Sequence, residues 1–365
     1  MNPKYIRPRF RAYALTNTGP QNNKMSEAPK HTRKADRPPA VSYGMECSVT
    51  DYILGITYEI WEEGQVEKIL DYYGEDVVVY GLDGITRGAA AMVEQTHATL
   101  AAFPNRLLLG DDVIWTGTVA HGFSSHRVLS PMTNLGDTVF GPATGRPVRT
   151  MNVADCEISK GLISREWLVR DNLPLVRQLG FDEVDAARGM ASRAGNDLTE
   201  WLAQEFSRVS RDGSGHGGAH PLSEAGDDHH FALAVLTDCW ISGDTRRLKS
   251  VYAPYCVLHR APLRIFSGRE DTLGHYQKWR GVLPDARITV DQVCSQPFGA
   301  GGRHIAVRWG VAGHQQASIG GCAGHGQPLF ILGVTHWRVL DGRIMSEWTV
   351  FDELAVMAQS LGANG

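Results

Sequence analysis

Hydrophobic and polar positions follow two patterns along the chain. Between Tyr52 and Tyr73 the apolar residues recur at helical spacing, and a β-branched and aromatic run over residues 76–80 then predicts a strand. Gly88 precedes a second helical segment, which Pro104 ends. Four strand-like runs follow, separated by turn residues: 106–116, 120–130, 148–158 and 163–169. This order predicts an α+β unit in which an antiparallel sheet curls around one face of the helices.

The same unit occurs twice. Residues 126–180 align without gaps to residues 307–361, and the pair Glu166-Trp167 recurs as Glu347-Trp348. Upstream of this alignment the offset drifts by one or two residues, as small loop insertions produce. A repeat of this kind indicates a tandem duplication.

Length and charge agree with a divided chain. A chain of 365 residues exceeds the roughly 250–300 residues at which single cores stop growing. The first 45 residues hold nine Lys or Arg and two acidic residues, so we expect a disordered basic tail, or a true start at Met25 or Met45. The predicted organisation is a tail, a first domain, a helix with a Gly/His-rich linker, and a second domain: 1–45, 46–181, 182–230 and 231–365.

Composition excludes several classes of protein. The net charge of -4, with the positive charge concentrated in the tail, leaves no basic surface for nucleic acid, and no apolar run reaches the ~20 residues that cross a bilayer. The six cysteines are scattered, which favours free thiols in a reducing cytoplasm. The His-rich stretch 216–230 and the Gly-rich stretch 320–326 lie in a linker and a predicted hairpin. We therefore expect no metal and no cofactor.

Three consecutive motifs suggest a family. The run from Phe140 to Val148 (FGPATGRPV), then Gly161-Leu-Ile163, then Glu166-Trp167-Leu-Val-Arg-Asp171, resembles the SnoaL-like polyketide cyclase family of the NTF2-like superfamily. The resemblance covers 46–181 well and 231–362 more loosely. It implies two α+β cones, each a curved antiparallel sheet wrapped on helices, that pair through their sheets as a pseudo-dimer within one chain.

The end of the last strand carries the main candidate for chemistry. Side chains alternate faces along a strand, so Trp167 and Asp171 share a face, which we expect to be the concave wall of a pocket. Desolvation beside apolar surface would raise the carboxyl pKa toward the range that a general acid or base needs. The resemblance implies that Asp171 moves protons in an intramolecular aldol closure, with Asp352 as its equivalent. The alternative is a strand-end Asp that caps the following turn.

Other candidates are supporting ones. His126 could share a proton with the acid, or be a structural histidine. Asp155 could form a carboxyl dyad with Asp171, or be separately bonded. Its equivalent in the second unit is a histidine, so the two pockets would differ. The expected substrate-binding residues, which could equally be core residues, are Trp167, Tyr80, Trp115, Asp155, Trp348 and His336.

Two functions remain open from the sequence. The first is cofactor-independent acid/base chemistry on a small, largely apolar carbonyl compound, by cyclisation, isomerisation or dehydration. The alternative is a non-catalytic module for small-molecule binding or assembly. Either predicts a cytoplasmic protein whose partner is a small molecule, with no nucleic acid, no membrane, and homodimerisation left open.

Overall fold

The computed structural model describes residues 47–215, 227–261, 264–323 and 326–362. The predicted basic tail lies outside these ranges, as do residues 216–226 of the predicted linker and two residues of the Gly-rich stretch.

The first unit places helices before strands, as the hydrophobic pattern predicts. The described part of the chain begins with α1 (Val49–Thr57), whose N-terminus is capped by the Ser48 side chain, and continues through a π-helical turn, Tyr58–Glu62. The remaining elements in chain order are α2 (Ile69–Tyr72), β1 (Tyr73–Gly81), β2 (Gly84–Arg87), α3 (Ala89–Ala102), β3 (Leu109–Gly117), β4 (His121–Thr133), β5 (Pro147–Ser159), β6 (Leu162–Arg170) and α4 (Asn172–Leu179).

The six strands of this unit form one sheet in the order β2-β1-β6-β5-β4-β3. Strands β3 to β6 are an antiparallel meander, as expected. Strand β1 pairs with β6 in parallel, with Val79 opposite Glu166 and Tyr80 opposite Trp167, so the sheet is mixed. This pairing brings β1 and β2, which contact α3, into the same sheet as the meander.

The second unit repeats this arrangement. Its six strands form a sheet in the order β8-β7-β12-β11-β10-β9. As in the first unit, one pair of neighbours, β7 and β12, is parallel. Its elements are α7 (Asp228–Thr237), α8 (Thr245–Val251), β7 (Tyr252–Ala261), β8 (Arg264–Ser267), α9 (Arg269–Val282), β9 (Arg287–Phe298), β10 (Gly302–His314), β11 (Pro328–Leu340), β12 (Arg343–Phe351) and α10 (Glu353–Leu361).

Two helices connect the units, where the sequence predicted one over residues 182–210. Helix α5 (Glu183–Arg193) is capped by Asp182, and α6 (Asn196–Asp212) begins after an extended break at Ala194 and Gly195. Glycine is a poor helix former, which explains the break. Helix α6 covers the second sheet, where Trp201 packs edge-on against Phe330.

The two sheets face each other across the middle of the molecule. Strand β6 contacts β11 and β12, and β9 contacts β3 and β4. The largest hydrophobic cluster draws residues from both units, including Val153 and Val169 of the first and Val334 and Val350 of the second. The predicted fold class is confirmed: two α+β cones in tandem, paired within one chain.

Candidate functional site

The first cone holds a cavity between α3 and the concave face of its sheet. An inner chamber of about 120 Å³ is bordered by Tyr73, His126 and Glu166. An outer chamber of about 570 Å³ extends to Phe140 and Asp171. The two chambers share wall residues; the shared polar residues are Asp83, Thr86, Gln95, Thr99, Arg106, Asn152 and Arg170.

Strand β6 supplies Glu166 to the inner chamber. Residues Glu166, Leu168 and Arg170 alternate onto the cavity face of this strand. The Glu166 carboxylate accepts a hydrogen bond from the Tyr73 hydroxyl at 3.0 Å. Burial raises the pKa of Glu166 to about 7, so the carboxyl exchanges its proton near neutral pH.

His126 lines the same chamber from β4. Burial lowers the pKa of His126 to about 4, so the imidazole is neutral at neutral pH. Its Nδ1 atom is buried and has no hydrogen-bond partner among the described residues. A neutral imidazole carries one N–H donor and one acceptor, and it can therefore polarise a carbonyl or pass a proton without bringing a charge.

Two guanidinium groups lie where the chambers meet. Arg170 donates to Asp83 at 3.0 Å. Arg106 donates from Nε to the Ser130 hydroxyl at 3.0 Å, and its guanidinium lies over the Trp61 ring at 4.9 Å. Burial lowers the pKa of Arg106 to about 10, which leaves it charged at neutral pH.

The prediction that Trp167 lines a concave pocket is wrong, because Trp167 borders neither chamber. Trp167 lies on the opposite face of β6 from Glu166, between the two sheets, where the Arg308 guanidinium of the second unit stacks on it at 3.5 Å. Tyr80 stacks on Trp167 with ring centroids 5.7 Å apart and also contacts Trp201 of α6. The alternation along the strand was read correctly, but this face meets the other cone.

Trp348, the second-unit equivalent, has the matching environment. The Arg127 guanidinium of the first unit lies over its ring at 4.1 Å, and His259 stacks on it with centroids 5.0 Å apart. Each cone therefore inserts one arginine onto the tryptophan of the other. Trp115 packs against the first unit's own core, and its carbonyl accepts a hydrogen bond from Gln296 at 2.7 Å.

Asp155 and His336 also lie between the sheets. Arg308 approaches the Asp155 carboxylate at 3.5 Å, and burial raises the pKa of Asp155 to about 6. His336 contacts Ser125 at 2.7 Å through Nε2 and Arg127 at 3.0 Å through Nδ1. A guanidinium can only donate, so Nδ1 accepts and the ring is neutral with its proton on Nε2. Burial and Arg127 hold the pKa of His336 well below its usual range.

Asp171 and Asp352 bridge the two units reciprocally. Asp352 accepts from the backbone N–H of Asn172 at 3.1 Å, and Asp171 accepts from the backbone N–H of Glu353 at 3.2 Å. Burial, followed by the nearby Glu353 charge, raises the pKa of Asp171 well above its usual range, and burial raises that of Asp352 to about 7. Arg260 lies 3.6 Å from Asp171.

Asp171 therefore has a different position from the one expected of a pocket acid. Its Oδ2 atom is buried without a hydrogen-bond partner among the described residues, and its Oδ1 points to the second unit, although the residue borders the outer chamber. Asp155 and Asp171 have separate partners, Arg308 and Glu353, so the structure does not form the predicted dyad. The catalytic roles of Asp171 and Asp352 stay predictions.

The model of the SnoaL-like polyketide cyclase family matches residues 52–179 and again residues 230–360. The chain belongs to this family. Among solved structures it is similar to wild-type IdmH from Streptomyces antibioticus (24% identity, 36% of this chain and 97% of that one, TM-score 0.32). It is also similar to TsrD from Streptomyces laurentii (20% identity, 36% of this chain and 94% of that one, TM-score 0.33). A third similar structure is a SnoaL-like polyketide cyclase from Agrobacterium tumefaciens (17% identity, 37% of this chain and 99% of that one, TM-score 0.32). A search of curated proteins gave no match.

The second SnoaL-like cone is filled with aromatic rings where the first is open. Trp240, Trp279, Trp309 and Phe351 pack together with ring centroids 5.0 to 6.0 Å apart. Alignment of the strands and helices of the two units shows which residues occupy equivalent positions. With the first-cone residue named first, the equivalent residues are Thr96 and Tyr276, Thr99 and Trp279, Val128 and Trp309, and Arg170 and Phe351. At these four positions the second cone has an aromatic ring where the first has none, and these rings occupy the space that forms the cavity in the first cone.

The two cones share one buried polar pair and differ in the rest. Glu347 and Tyr252 are the equivalents of Glu166 and Tyr73, and the Tyr252 hydroxyl donates to Glu347 at 2.5 Å. Trp337 and Tyr276 also donate to Glu347. In contrast, His126, Arg106 and Arg170 are replaced by the apolar residues Val307, Ala286 and Phe351.

Sequence reasoning missed Glu166, Arg106 and Arg170. Glu166 lies in the Glu-Trp motif that both units share, so the repeat does not single it out. The repeat does single out Arg106 and Arg170, which align with an alanine and a phenylalanine. A polar residue that only one copy keeps is a candidate for function in that copy.

Among the described residues, no group of three or more His, Cys, Asp or Glu side chains is arranged to hold a metal ion. Within the same ranges, every helix is too short or too polar to span a bilayer.

Proposed function

We propose that the first cone catalyses cofactor-independent acid/base chemistry on a small carbonyl compound, of the cyclase or isomerase type. The observation that carries the proposal is the asymmetry between the cones. The open cone combines a cavity with His126, Arg106 and Arg170, whereas the filled cone has apolar residues at all three positions. Buried polar groups are costly in a core, so their presence only where a ligand fits favours a role toward that ligand.

Glu166 is the proposed proton carrier. Its carboxylate removes a proton from the carbon next to a carbonyl, and the electron pair moves to the carbonyl oxygen to give an enolate. His126, neutral in this site, donates an N–H to that oxygen. In an isomerisation the protonated Glu166 returns the proton to another carbon; in a cyclisation the enolate carbon attacks a second carbonyl, whose oxygen takes the proton.

An assay that does not require the natural substrate tests this proposal. Compounds with acidic protons beside a carbonyl, such as aromatic 1,3-diketones, are incubated with the protein in D₂O, and deuterium incorporation is followed by NMR. Glu166→Gln is expected to slow enzyme-dependent exchange by about 10²-fold or more, because it removes the base. In the wild type kcat/KM should rise with pH through about 7, as Glu166 ionises.

Glu347→Gln is the matched control, because it makes the same change in the cone whose corresponding space is filled by aromatic side chains. Equal rates for Glu166→Gln and Glu347→Gln at equal folded fractions would contradict the proposal. Asp171→Asn in the same assay tests the role that the family resemblance implies for Asp171.

The alternative, a non-catalytic binding module, has one observation in its favour. The Glu347–Tyr252 pair persists in the filled cone, where it serves only the core. Binding of the diketones in the first cone without deuterium exchange would support this alternative over catalysis.

A further inference from the structure

The junction between the two chambers holds an arginine that has no ion-pair partner among the described residues. Arg170 is paired with Asp83, and Asp83 also accepts from the Asn172 side chain at 3.3 Å. Arg106 has no carboxylate within ion-pair distance among the described residues; its contacts are Ser130 and the ring of Trp61. Of the two guanidinium groups, Arg106 is therefore the one without an ion-pair partner in the described part of the chain.

A guanidinium without an opposite charge in this position is a candidate to bind an anion. Arg106 is half-buried and lines the cavity from both chambers. Burial without an opposite charge disfavours the charged form, which agrees with the lowered pKa of Arg106, and a bound anion would remove this cost. In the filled cone the equivalent residue is Ala286, which shows that the fold at this position does not require an arginine.

The other charged groups around the cavity do not supply the missing partner. Glu166 accepts from the Tyr73 hydroxyl, and Arg170 is the guanidinium that favours its ionised form. The Asp171 carboxyl is directed at the second unit, where it accepts from the backbone N–H of Glu353 and lies 3.6 Å from Arg260. At the rim the exposed Asp137 uses its carboxylate to accept from Ala143 N–H, and the exposed Arg193 adds a further positive charge.

We propose that Arg106 is a carboxylate-binding residue, so that the substrate of the first cone is an anionic carbonyl compound rather than a wholly apolar one. The guanidinium fork matches a carboxylate in shape as well as charge. This inference rests on the proposed function only in that the substrate occupies the same cavity. A substrate carboxylate at the junction would place its carbon skeleton toward either Glu166 in the inner chamber or Phe140 in the outer one.

Binding of two probes of the same shape tests the inference without any turnover. The probes are 2-naphthoate, which carries a carboxylate, and 2-naphthamide, which is neutral; calorimetric titration of the full chain at pH 7.5 gives both affinities. We expect the wild type to bind the carboxylate at least about tenfold more tightly than the amide. Equal affinity for the two probes, or binding of neither, would overturn the inference.

Variants locate the effect. Arg106→Gln should abolish the preference for the carboxylate, and Arg106→Lys should retain part of it, because the charge stays while the fork is lost. Arg149→Gln removes an exposed positive charge from the same domain and should leave the preference unchanged. A preference that survives Arg106→Gln would also overturn the inference. A preference for 2-naphthoate without deuterium exchange of the diketones would support this inference and contradict the proposed catalysis. Deuterium exchange without a preference for 2-naphthoate would support catalysis and contradict this inference.

Discussion

His126 is buried in its neutral form, and this links the stability of the protein to pH. Its folded-state pKa is about 4, below the usual value of 6.5, so the unfolded chain binds more protons between these two values. Stability that is fully present above pH 6.5 is therefore lost as the pH falls toward 4.

We predict that His126→Gln reduces this loss. Going from pH 7.5 to pH 4.5, the wild type should lose on the order of 1–3 kcal/mol more free energy of unfolding than the variant, because the glutamine cannot take up a proton. Urea denaturation at both pH values measures the difference. His121→Gln, a substitution at the exposed beginning of the same strand, controls for the loss of an imidazole. Parallel pH dependences of wild type and His126→Gln would contradict the prediction.

Asp171 and Asp352 also show how one residue type can meet two demands. The sequence offered two roles for Asp171, a pocket acid or a cap for its own following turn. The structure shows a third arrangement, in which its side chain accepts from the first residue of helix α10 of the other unit. Asp352 caps its own following helix, α10, by accepting from the backbone N–H groups of Leu354 and Ala355. It also accepts from the Asn172 side chain of the first unit.

Among the elements, strands β6 and β12 contribute matching contacts between the cones. Each presents a tryptophan to the arginine of the opposite unit: Trp167 receives Arg308, and Trp348 receives Arg127. Arg127 is fully buried and is also held by Asp111 at 2.7 Å. Stacking on a ring is one way to bury the flat face of a guanidinium while its edges bond to acceptors.

We predict that Trp167→Ala lowers the free energy of unfolding by about 3–5 kcal/mol, since it leaves a cavity and removes the stacking partner of Arg308. Trp167→Phe keeps an aromatic ring and should cost clearly less. Chemical denaturation of the two variants measures both changes. A loss below about 1 kcal/mol for Trp167→Ala would show that the interface does not depend on this residue.

At the scale of the whole molecule, the two copies have taken different roles. The first cone keeps an internal cavity, and the second packs four aromatic side chains into the corresponding space. The second cone still covers the sheet of the first, and its Arg308 and His336 satisfy polar groups there. We interpret the second cone as a structural partner for the first.

This interpretation predicts that Trp279→Thr, which gives the second cone the residue found in the first, lowers the free energy of unfolding by about 3–5 kcal/mol. The relative affinities of the first cone for 2-naphthoate and 2-naphthamide should not change, because the substitution lies in the other unit. Denaturation and calorimetric titration of the same preparation check both parts. A changed affinity ratio would show that the cones are coupled.

Much of the architecture was predictable because it depends on local pattern. Helical spacing before Tyr73, the strand-like runs after Pro104 and the turn residues between them predicted the elements within a few residues. The parallel pairing of β1 with β6 was not predicted, since strands far apart in sequence leave no local sign of their pairing. The break between α5 and α6 was missed, although Gly195 marks it.

The sequence by itself determined the duplication, the α+β cone and the family, because each follows from spacing and motif. It also determined that Trp167 and Glu166 lie on opposite faces of one strand. Only the tertiary structure decided which face borders the cavity, because alternation is symmetric until the opposing layer is known. It likewise decided which copy is open, because a cavity depends on the summed volumes of side chains that come from distant helices and strands.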